Sequence, residues 1–325
     1  MLVAASQGAS PFVSGARVAE ELGVSRAAVW KAVQGLQEDG ICIASERARG
    51  YRLAGVYDEL DAAGVRSFLP PSLADRVHLD VKRSTGSTNT DAKAAAENGA
   101  GPYSCVIAAE QVEGRGRRGR PFYSLGDTGV YLSIVLRPTV AVAQSGLITG
   151  AAAVAVCRAI ESLRPDCGAQ IKWVNDVYVD GRKVSGILTE ASVDLESGGF
   201  SYAVVGIGVN VYEPEGGFPE AISRRAGAVL HEKRTDFRNR LAAGIISAFI
   251  ELYEHDPFEA FVPEYQERSF LTGRCVEIKG GVHDGERAVV RGVSDDLGLM
   301  VSLPDGTFDT LRTGEVSIVV REDGQ

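Results

Sequence analysis

Metal-binding side chains are sparse in this 325-residue sequence: its four histidines (His78, His231, His255, His283) stand alone. Its five cysteines (Cys42, Cys105, Cys157, Cys167, Cys275) are odd in number, far apart and form no C-x-x-C. This argues against a zinc site and a disulfide framework, and reads as reduced, mostly buried thiols of a cytoplasmic protein. There is no G-x-x-x-x-G-K-S/T, no H-E-x-x-H and no G-x-S-x-G, so P-loop, zincin and α/β-hydrolase chemistry recede. Positive charge is also in deficit. Lys plus Arg at 34 against Asp plus Glu at 43 gives a net charge of -9, so nucleic-acid contact requires a local patch. The first basic residue is Arg17, so the start lacks the charged region of a secretory signal. The uncharged run from 138 to 157 holds Pro138, Gln144, Ser145, Gly146, Thr149 and Gly150. It reads as a loop feeding a buried helix, and no membrane partner is expected.

What is present is ordinary globular composition, 45% apolar and 24% charged, at a length suited to two or three domains. Residues 1–57 read as one unit. Val18 and Leu22 sit four apart, Gly23 can stop that helix and Ser25 can cap the next, where Val29, Val33 and Leu36 repeat at i, i+4, i+7. Ile41 to Ala44 and Tyr51 to Leu53 are short strands joined by the basic Glu46-Arg-Ala-Arg-Gly50. The pattern is a winged helix-turn-helix. Six basic residues (Arg17, Arg26, Lys31, Arg47, Arg49, Arg52) against five acidic ones (Glu20, Glu21, Glu38, Asp39, Glu46) give the unit +1. Ser25, Arg26 and Lys31 on the second helix and Arg47 and Arg49 on the wing are the DNA-binding candidates; the competing reading is a helical protein-interaction module.

Residues 58–72, with Pro70-Pro71, read as a linker holding a short helix. From 73 to 268 strands are expected near 104–109, 129–136, 169–179, 182–190 and 202–211, with long helices near 143–163 and 235–254. The class is α+β, with no regular βαβ alternation. Residues 269–325 form a small terminal β-barrel of four or five short runs (275–278, 288–293, 299–303, 316–320) broken by Gly-Gly, Asp-Gly and Asp-Asp turns.

Two segments carry chemistry. Gly114-Arg-Gly-Arg-Arg-Gly-Arg120 packs four arginines and three glycines into seven residues. Glycines let backbone approach a ligand and guanidinium groups offer forked donors, so this is an anion lid by composition; the bland alternative is a solvated RG tract. The second runs from Lys172 to Leu188. Asp180-Gly181 signals a two-residue hairpin, in which Tyr178 faces Lys183 and Asp176 faces Ser185. A period of two then brings Lys172, Asp176 and Lys183 to one face, two ammonium groups with a carboxylate, suited to a reacting phosphate; a surface salt bridge is the alternative. Gly206-Ile-Gly208 lies within a strand and reads as close packing or ligand approach.

In order, Ser87-Thr88-Asn89, Gln111 with Gly114 to Arg120, Lys172-Trp173, Asn175-Asp176, Lys183 with Gly186, Gly208-Val-Asn210 and the terminal Gly314-Glu-Val-Ser317 resemble a biotin protein ligase. With the winged helix, the whole chain resembles the bifunctional bacterial type that is also the biotin-operon repressor. Two positions depart from the family: Val174 stands where proline is usual, and Phe122 where tryptophan is usual.

The resemblance implies a class II synthetase-like central domain and an SH3-like terminal one. It implies biotin and Mg2+-ATP as substrates, and no metal site of the protein's own. Biotin would be bound by Ser87, Thr88, Asn89, Gln111, Gly114, Arg115, Gly116, Arg117, Lys183 and Gly186. ATP would meet Arg117, Arg120, Lys172, Trp173, Asn175, Asp176, Lys183 and Asn210, with Lys183, Arg117 and Asp176 as the catalytic group. A biotin carboxyl carrier protein, operator DNA and a second copy, pairing once the adenylate is bound, are the implied partners. A lipoate-type ligase and a ligand-sensing repressor with an inactive ligase domain are the other readings.

Overall fold

The computed structural model describes residues 12–38, 41–138, 144–194, 196, 198–312 and 317–320. Gly314 to Val316 of the terminal motif lie outside them, as does the start of the chain up to Pro11. The chain divides into two units, Met1–Glu59 with Glu232–Phe237, and Leu60–His231 with Arg238–Gln325.

In the first unit, helix α1 (Gly15–Leu22) ends at Gly23, whose φ of 64° lets its N–H reach back to Ala19 and Glu20. Ser25 caps α2 (Arg26–Glu38), its hydroxyl accepting from the Ala28 amide at 3.1 Å. Strands β1 (Ile43–Glu46) and β2 (Gly50–Leu53) pair antiparallel across the wing. Gly50 is dictated by crowding: its φ is 105°, and a Cβ there would lie 2.0 Å from the Val13 carbonyl oxygen. Val13, Val18, Ala19, Val29, Val33 and Ile43 form this unit's core, so the winged helix-turn-helix expected from periodicity is present.

The second unit is built on a seven-stranded sheet ordered β3-β4-β5-β9-β8-β7-β6. The strands are β3 (His78–Lys82), β4 (Ser104–Ala108), β5 (Gly129–Leu136), β6 (Gln170–Lys172), β7 (Asp176–Val179), β8 (Arg182–Val193) and β9 (Phe200–Asn210). Only β3 and β4 run parallel. All eight residues of β5 are buried, which requires cover on both faces. Helix α5 (Thr88–Glu97) supplies one cover, with Ala92 and Ala96 packed against Val106, Val135, Tyr202 and Val204. The apolar helix α6 (Ser145–Leu163), long enough to cross a membrane, is instead mostly buried within the protein and packs on β6 to β9.

The expected linker is not one. Within 58–72 the chain forms α3 (Ala62–Phe68) and α4 (Pro71–Ala74), and Val65, Leu69 and Leu73 are buried, so apolar spacing outweighs the two prolines. Strand β3, helix α5 and the short α7 (Glu220–Ser223) went unseen in the sequence, being short or polar. Of the cysteines, Cys105, Cys157 and Cys167 are buried, Cys275 half-buried and Cys42 exposed, all as free thiols. Burial pushes the Cys105 thiol up to about 12.

After α8 (Phe237–Tyr253) and α9 (Val262–Arg268), five antiparallel strands follow in the order β13-β12-β11-β10-β14. These are β10 (Cys275–Lys279), β11 (Arg287–Val293), β12 (Leu299–Ser302), β13 (Phe308–Leu311) and β14 (Ser317–Val320). This small β domain does not separate from the larger one. The Trp173 indole N–H donates to the Leu297 carbonyl at 2.7 Å, and Gln266 Nε2 donates to the Val293 carbonyl at 2.9 Å.

Arg268 ties α9 to α6. Its guanidinium donates to both carboxylate oxygens of Glu161 at 2.8 Å and to Glu264 at 3.0 Å, while Arg158 holds the other Glu264 oxygen at 2.6 Å. Burial alone would raise the Glu264 pKa; the two arginines bring it below its ordinary value. Arg268→Met should therefore lower unfolding free energy by about 3 kcal/mol, the scale for stranding a largely desolvated charge, measured by urea denaturation at pH 7. A depressed native pKa stabilises above the unfolded carboxylate value and loses that effect as pH falls through the native one. The difference between variant and wild type should accordingly shrink on acidification below pH 4.5.

Candidate active site

A slot opens between the start of α5 and the β8–β9 strand pair, lined by Ser87, Thr88, Asn89, Gln111, Arg115, Phe122, Gly186, Leu188, Gly206, Ile207 and Gly208. Its floor exists because side chains are missing. Gly186 pairs with Gly208, and Leu188 with Gly206. A Cβ on Gly208 would lie 2.5 Å from the Phe122 ring, and one on Gly206 would lie 2.0 Å from Asn89 Oδ1. Gly206-Ile-Gly208 is therefore a place of close approach, and Phe122 meets it as an aromatic lid edge, packed edge-on to Tyr131 at 6.4 Å.

One wall is a chain of neutral hydrogen bonds. Ser87 precedes α5 in extended conformation without using its hydroxyl as a cap, which leaves that group to the slot. Gln111 Oε1 accepts from the Thr88 amide at 2.9 Å and its hydroxyl at 3.1 Å, while Gln111 Nε2 donates to Ser124 Oγ at 3.0 Å. Buried Ser133 donates to Asn89 Oδ1 at 2.7 Å, and Asn89 Nδ2 donates to Glu190 Oε2 at 2.9 Å. Burial would raise the Glu190 pKa, yet Lys93 at 2.9 Å and Asn89 hold it below its ordinary value. Ser124, Ser133, Lys93 and Glu190 were missed in the sequence. They are single polar residues whose only signal is burial, which spacing does not reveal.

The Gly-Arg segment forms the rim. Gly116 donates to the Arg120 carbonyl at 2.7 Å and Phe122 to the Gly114 carbonyl at 2.9 Å, closing the loop on itself. Gly114 has no room for a side chain: a Cβ would meet the Phe122 carbonyl oxygen at 2.4 Å. Arg117 donates to Asn175 Oδ1 at 3.2 Å, tying the rim to the second expected segment. Its burial and the neighbouring Arg118 lower its pKa.

That second segment is a hairpin at Asp180-Gly181, both at positive φ (51° and 72°). Tyr178 faces Lys183 as expected, but Asp176 faces Gly186 and not Ser185, because a bulge falls between Val177 and Tyr178. The bulge does not part the charges: Lys183 Nζ lies 2.5 Å from Asp176 Oδ1. Lys172 pairs across from Asp176. Burial lowers its pKa, and the nearby cations Lys183, Arg225 and Arg120 add to that, against the attraction of Asp176. Arg225, unmarked in the sequence, belongs to this cluster, and its carbonyl receives the Lys183 amide at 2.8 Å.

Trp173, Asn210, Gly114 and Gly116, also expected at the site, do not line the slot. Trp173 is buried with its indole on Leu297, so it braces the segment from behind and is not part of the slot. Asn210 donates to the Gly227 carbonyl at 3.1 Å. Gly114 and Gly116 shape the loop's backbone. Among the described residues no group of three or more His, Cys, Asp or Glu gathers to hold a metal ion.

Residues 81–210, which span the slot and both charged segments, match the model of the biotin/lipoate A/B protein ligase family. The biotin–acetyl-CoA-carboxylase ligase of Mycobacterium tuberculosis is 32% identical over 229 residues, 68% of this chain and 83% of that one. The chain belongs to the biotin protein ligase family.

As a biotin protein ligase it carries a further domain, for residues 5–52 match an HTH domain model. The bifunctional ligase/repressor BirA of Bacillus subtilis is 35% identical over 67% of this chain, which covers just 66% of that relative. BirA of Escherichia coli is 29% identical over 94% of this chain and 93% of its own. The solved biotin protein ligase of Aquifex aeolicus in complex with biotin and ATP superimposes with a TM-score of 0.60, at 25% identity, covering 75% of this ligase and 99% of that chain.

Gly206→Ala should push Asn89 out of its contacts with Ser133 and Glu190 while the strand survives. Stranding one buried polar group costs about 1–3 kcal/mol. The concentration of biotin giving half-maximal biotin-dependent pyrophosphate–ATP exchange should rise roughly tenfold to a hundredfold, with the far-UV spectrum unchanged.

Proposed function

We propose that this ligase joins biotin to a carrier protein in two steps and, through its winged helix, represses transcription. The observation that carries the reading is the union of a glycine-floored slot, walled by neutral hydrogen bonds, with a cationic cluster of Lys183, Lys172, Arg117 and Arg120 at its mouth. The slot suits a neutral ring system held by hydrogen bonds. The cluster suits the meeting of a carboxylate and a triphosphate, two anions that repel each other unless cations stand between them.

In the first step a biotin carboxylate oxygen attacks the α-phosphorus of ATP, and pyrophosphate leaves. In the second a carrier lysine, as the free amine, attacks the acyl carbon of biotinyl-5'-AMP; AMP leaves, and the amine's proton passes to solvent. Lys183 stands where the carboxylate and α-phosphate meet, and Arg117 closes the rim over them. Mg2+ enters with ATP: such ions are held by one or two carboxylates plus substrate phosphates, and Asp176 is the carboxylate available for it. With Asp176 holding the ion, which would offset phosphate charge, Lys183 would face the reacting oxygens.

Ordering of the Gly-Arg rim over the adenylate is the ligand-dependent change available to favour pairing of two copies on a two-fold DNA site. The reaction belongs in the cytoplasm, where ATP is found. A lipoate-type acyl group remains the other substrate reading, and an acyl competition assay separates it; failure of pyrophosphate exchange would leave a repressor without ligase activity.

Lys183→Ala should retain the fold and lower biotin-dependent pyrophosphate–ATP exchange by about 10² to 10⁴, the scale for a positioned charge stabiliser. Lys183→Arg should not restore it, because a forked guanidinium does not replace a compact ammonium. Exchange at the wild-type rate in Lys183→Ala would remove Lys183 from the chemistry.

Deleting residues 1–57 should abolish binding to promoter DNA of the protein's own biotin genes while most ligase activity stays. In the full chain, DNA occupancy should increase on adding biotin with ATP, read by gel shift. A truncated protein that still shifts the DNA would overturn the assignment of the winged helix.

A further inference from the structure

This inference rests on the DNA-binding reading and concerns which base the second helix reads. Helix α2 buries Val29 and Val33. On its outer side Ala27, Trp30, Lys31 and Gln34 are all exposed, at i, i+3, i+4 and i+7. This is the spacing by which a helix in the major groove brings side chains to successive base edges. Trp30, 57% exposed, has no place in the unit's own core.

Gln34 is oriented by a relay. Gln37 Nε2 donates to the Ile43 carbonyl of β1 at 2.7 Å, and Gln34 Nε2 donates to Gln37 Oε1 at 3.2 Å. The first bond turns the Gln37 oxygen outward, and the second therefore fixes which end of the Gln34 amide is nitrogen. It uses one of that nitrogen's two hydrogens. The second N–H and the carbonyl oxygen form a donor–acceptor pair, which matches the N7 acceptor and N6 donor of adenine. Arg26 and Lys31 on the same helix and Arg47 on the wing, all exposed, provide charge for the flanking phosphates. Ala27 and Trp30 offer apolar surface of the kind that meets a thymine methyl.

We propose that Gln34, held by Gln37 against the Ile43 carbonyl, is the adenine-reading side chain of this ligase. The duplex, and not a protein partner, is the occupant of this helix face, since the row combines an oriented amide with cations and no carboxylate before Glu38.

The test uses the full-length protein with biotin and ATP and a library of duplexes carrying a randomised 40-base-pair centre, about the span of two half-sites with flanks. Bound duplexes are sequenced, and affinities for the selected sequence are measured at several salt concentrations. Wild type should select two-fold related half-sites with an A·T pair at one fixed position. Gln34→Ala should lose preference there by roughly tenfold to a hundredfold, leave the other positions selected, and keep the salt slope. Gln34→Glu should move that position toward C·G, because a carboxylate accepts from cytosine N4. Gln37→Met should blur the same position to a smaller degree. Thermal melting checks that these exposed substitutions leave the fold intact.

An unchanged consensus in Gln34→Ala overturns the proposal alone. So does an even loss at all positions with a flatter salt slope, which marks a phosphate contact. A wild-type protein that selects no sequence overturns the DNA-binding reading together with it.

Discussion

The ion pair between Lys183 and Asp176 is the interaction around which the ligase unit is arranged. A lysine and an aspartate so placed, with Lys172 across the hairpin, need their backbones fixed, because a small slip would separate the charges. The bulge at Val177/Tyr178 sets their relation, and bonds on both sides maintain it. Asn175 is bound to the Ile187 carbonyl at 2.8 Å, and Lys183 pairs through its main chain with Arg225 and Gly227. Next to this charged end lies a slot whose wall of neutral side chains is satisfied by Ser133, Gln111 and Ser124. A buried network with its partners in place is rigid.

Glycine does at the floor what arginine does at the rim. The contacts that a Cβ would make at Gly206 and Gly208 show strands pressed close to Asn89 and Phe122. The family's usual tryptophan after the Gly-Arg loop is here a phenylalanine, which keeps an apolar ring over the same floor with less area.

Much of this was legible in the sequence because it is written in local pattern. The helix-turn-helix follows from i, i+4, i+7 spacing with Gly23 and Ser25 as punctuation, and the hairpin from Asp180-Gly181. The failures are non-local. Asp176 is opposite Gly186 because of a bulge that no residue type announced. Residues 60–72 belong to the larger unit, with Val65 buried and the Asp61 amide donating to Asn239 Oδ1, 178 positions later. The bond of the Trp173 N–H to a carbonyl 124 positions later is likewise announced by no local pattern. Glu190 and Ser133 join the site through the sheet's strand order, and Arg225 through the carbonyl that accepts the Lys183 amide.

Trp173 and Val174 stand between Lys172 and Asn175, and both are gripped from behind: the first by Leu297 of the small β domain, the second by Tyr265 of α9, whose hydroxyl donates to its carbonyl at 3.1 Å. The consequence concerns modularity. The small β domain looks like an appendage in linear sequence, yet it helps to hold the turn between Lys172 and Asn175. A cut near residue 268 would therefore take away the carbonyl that accepts the buried Trp173 N–H and leave that donor unpaired.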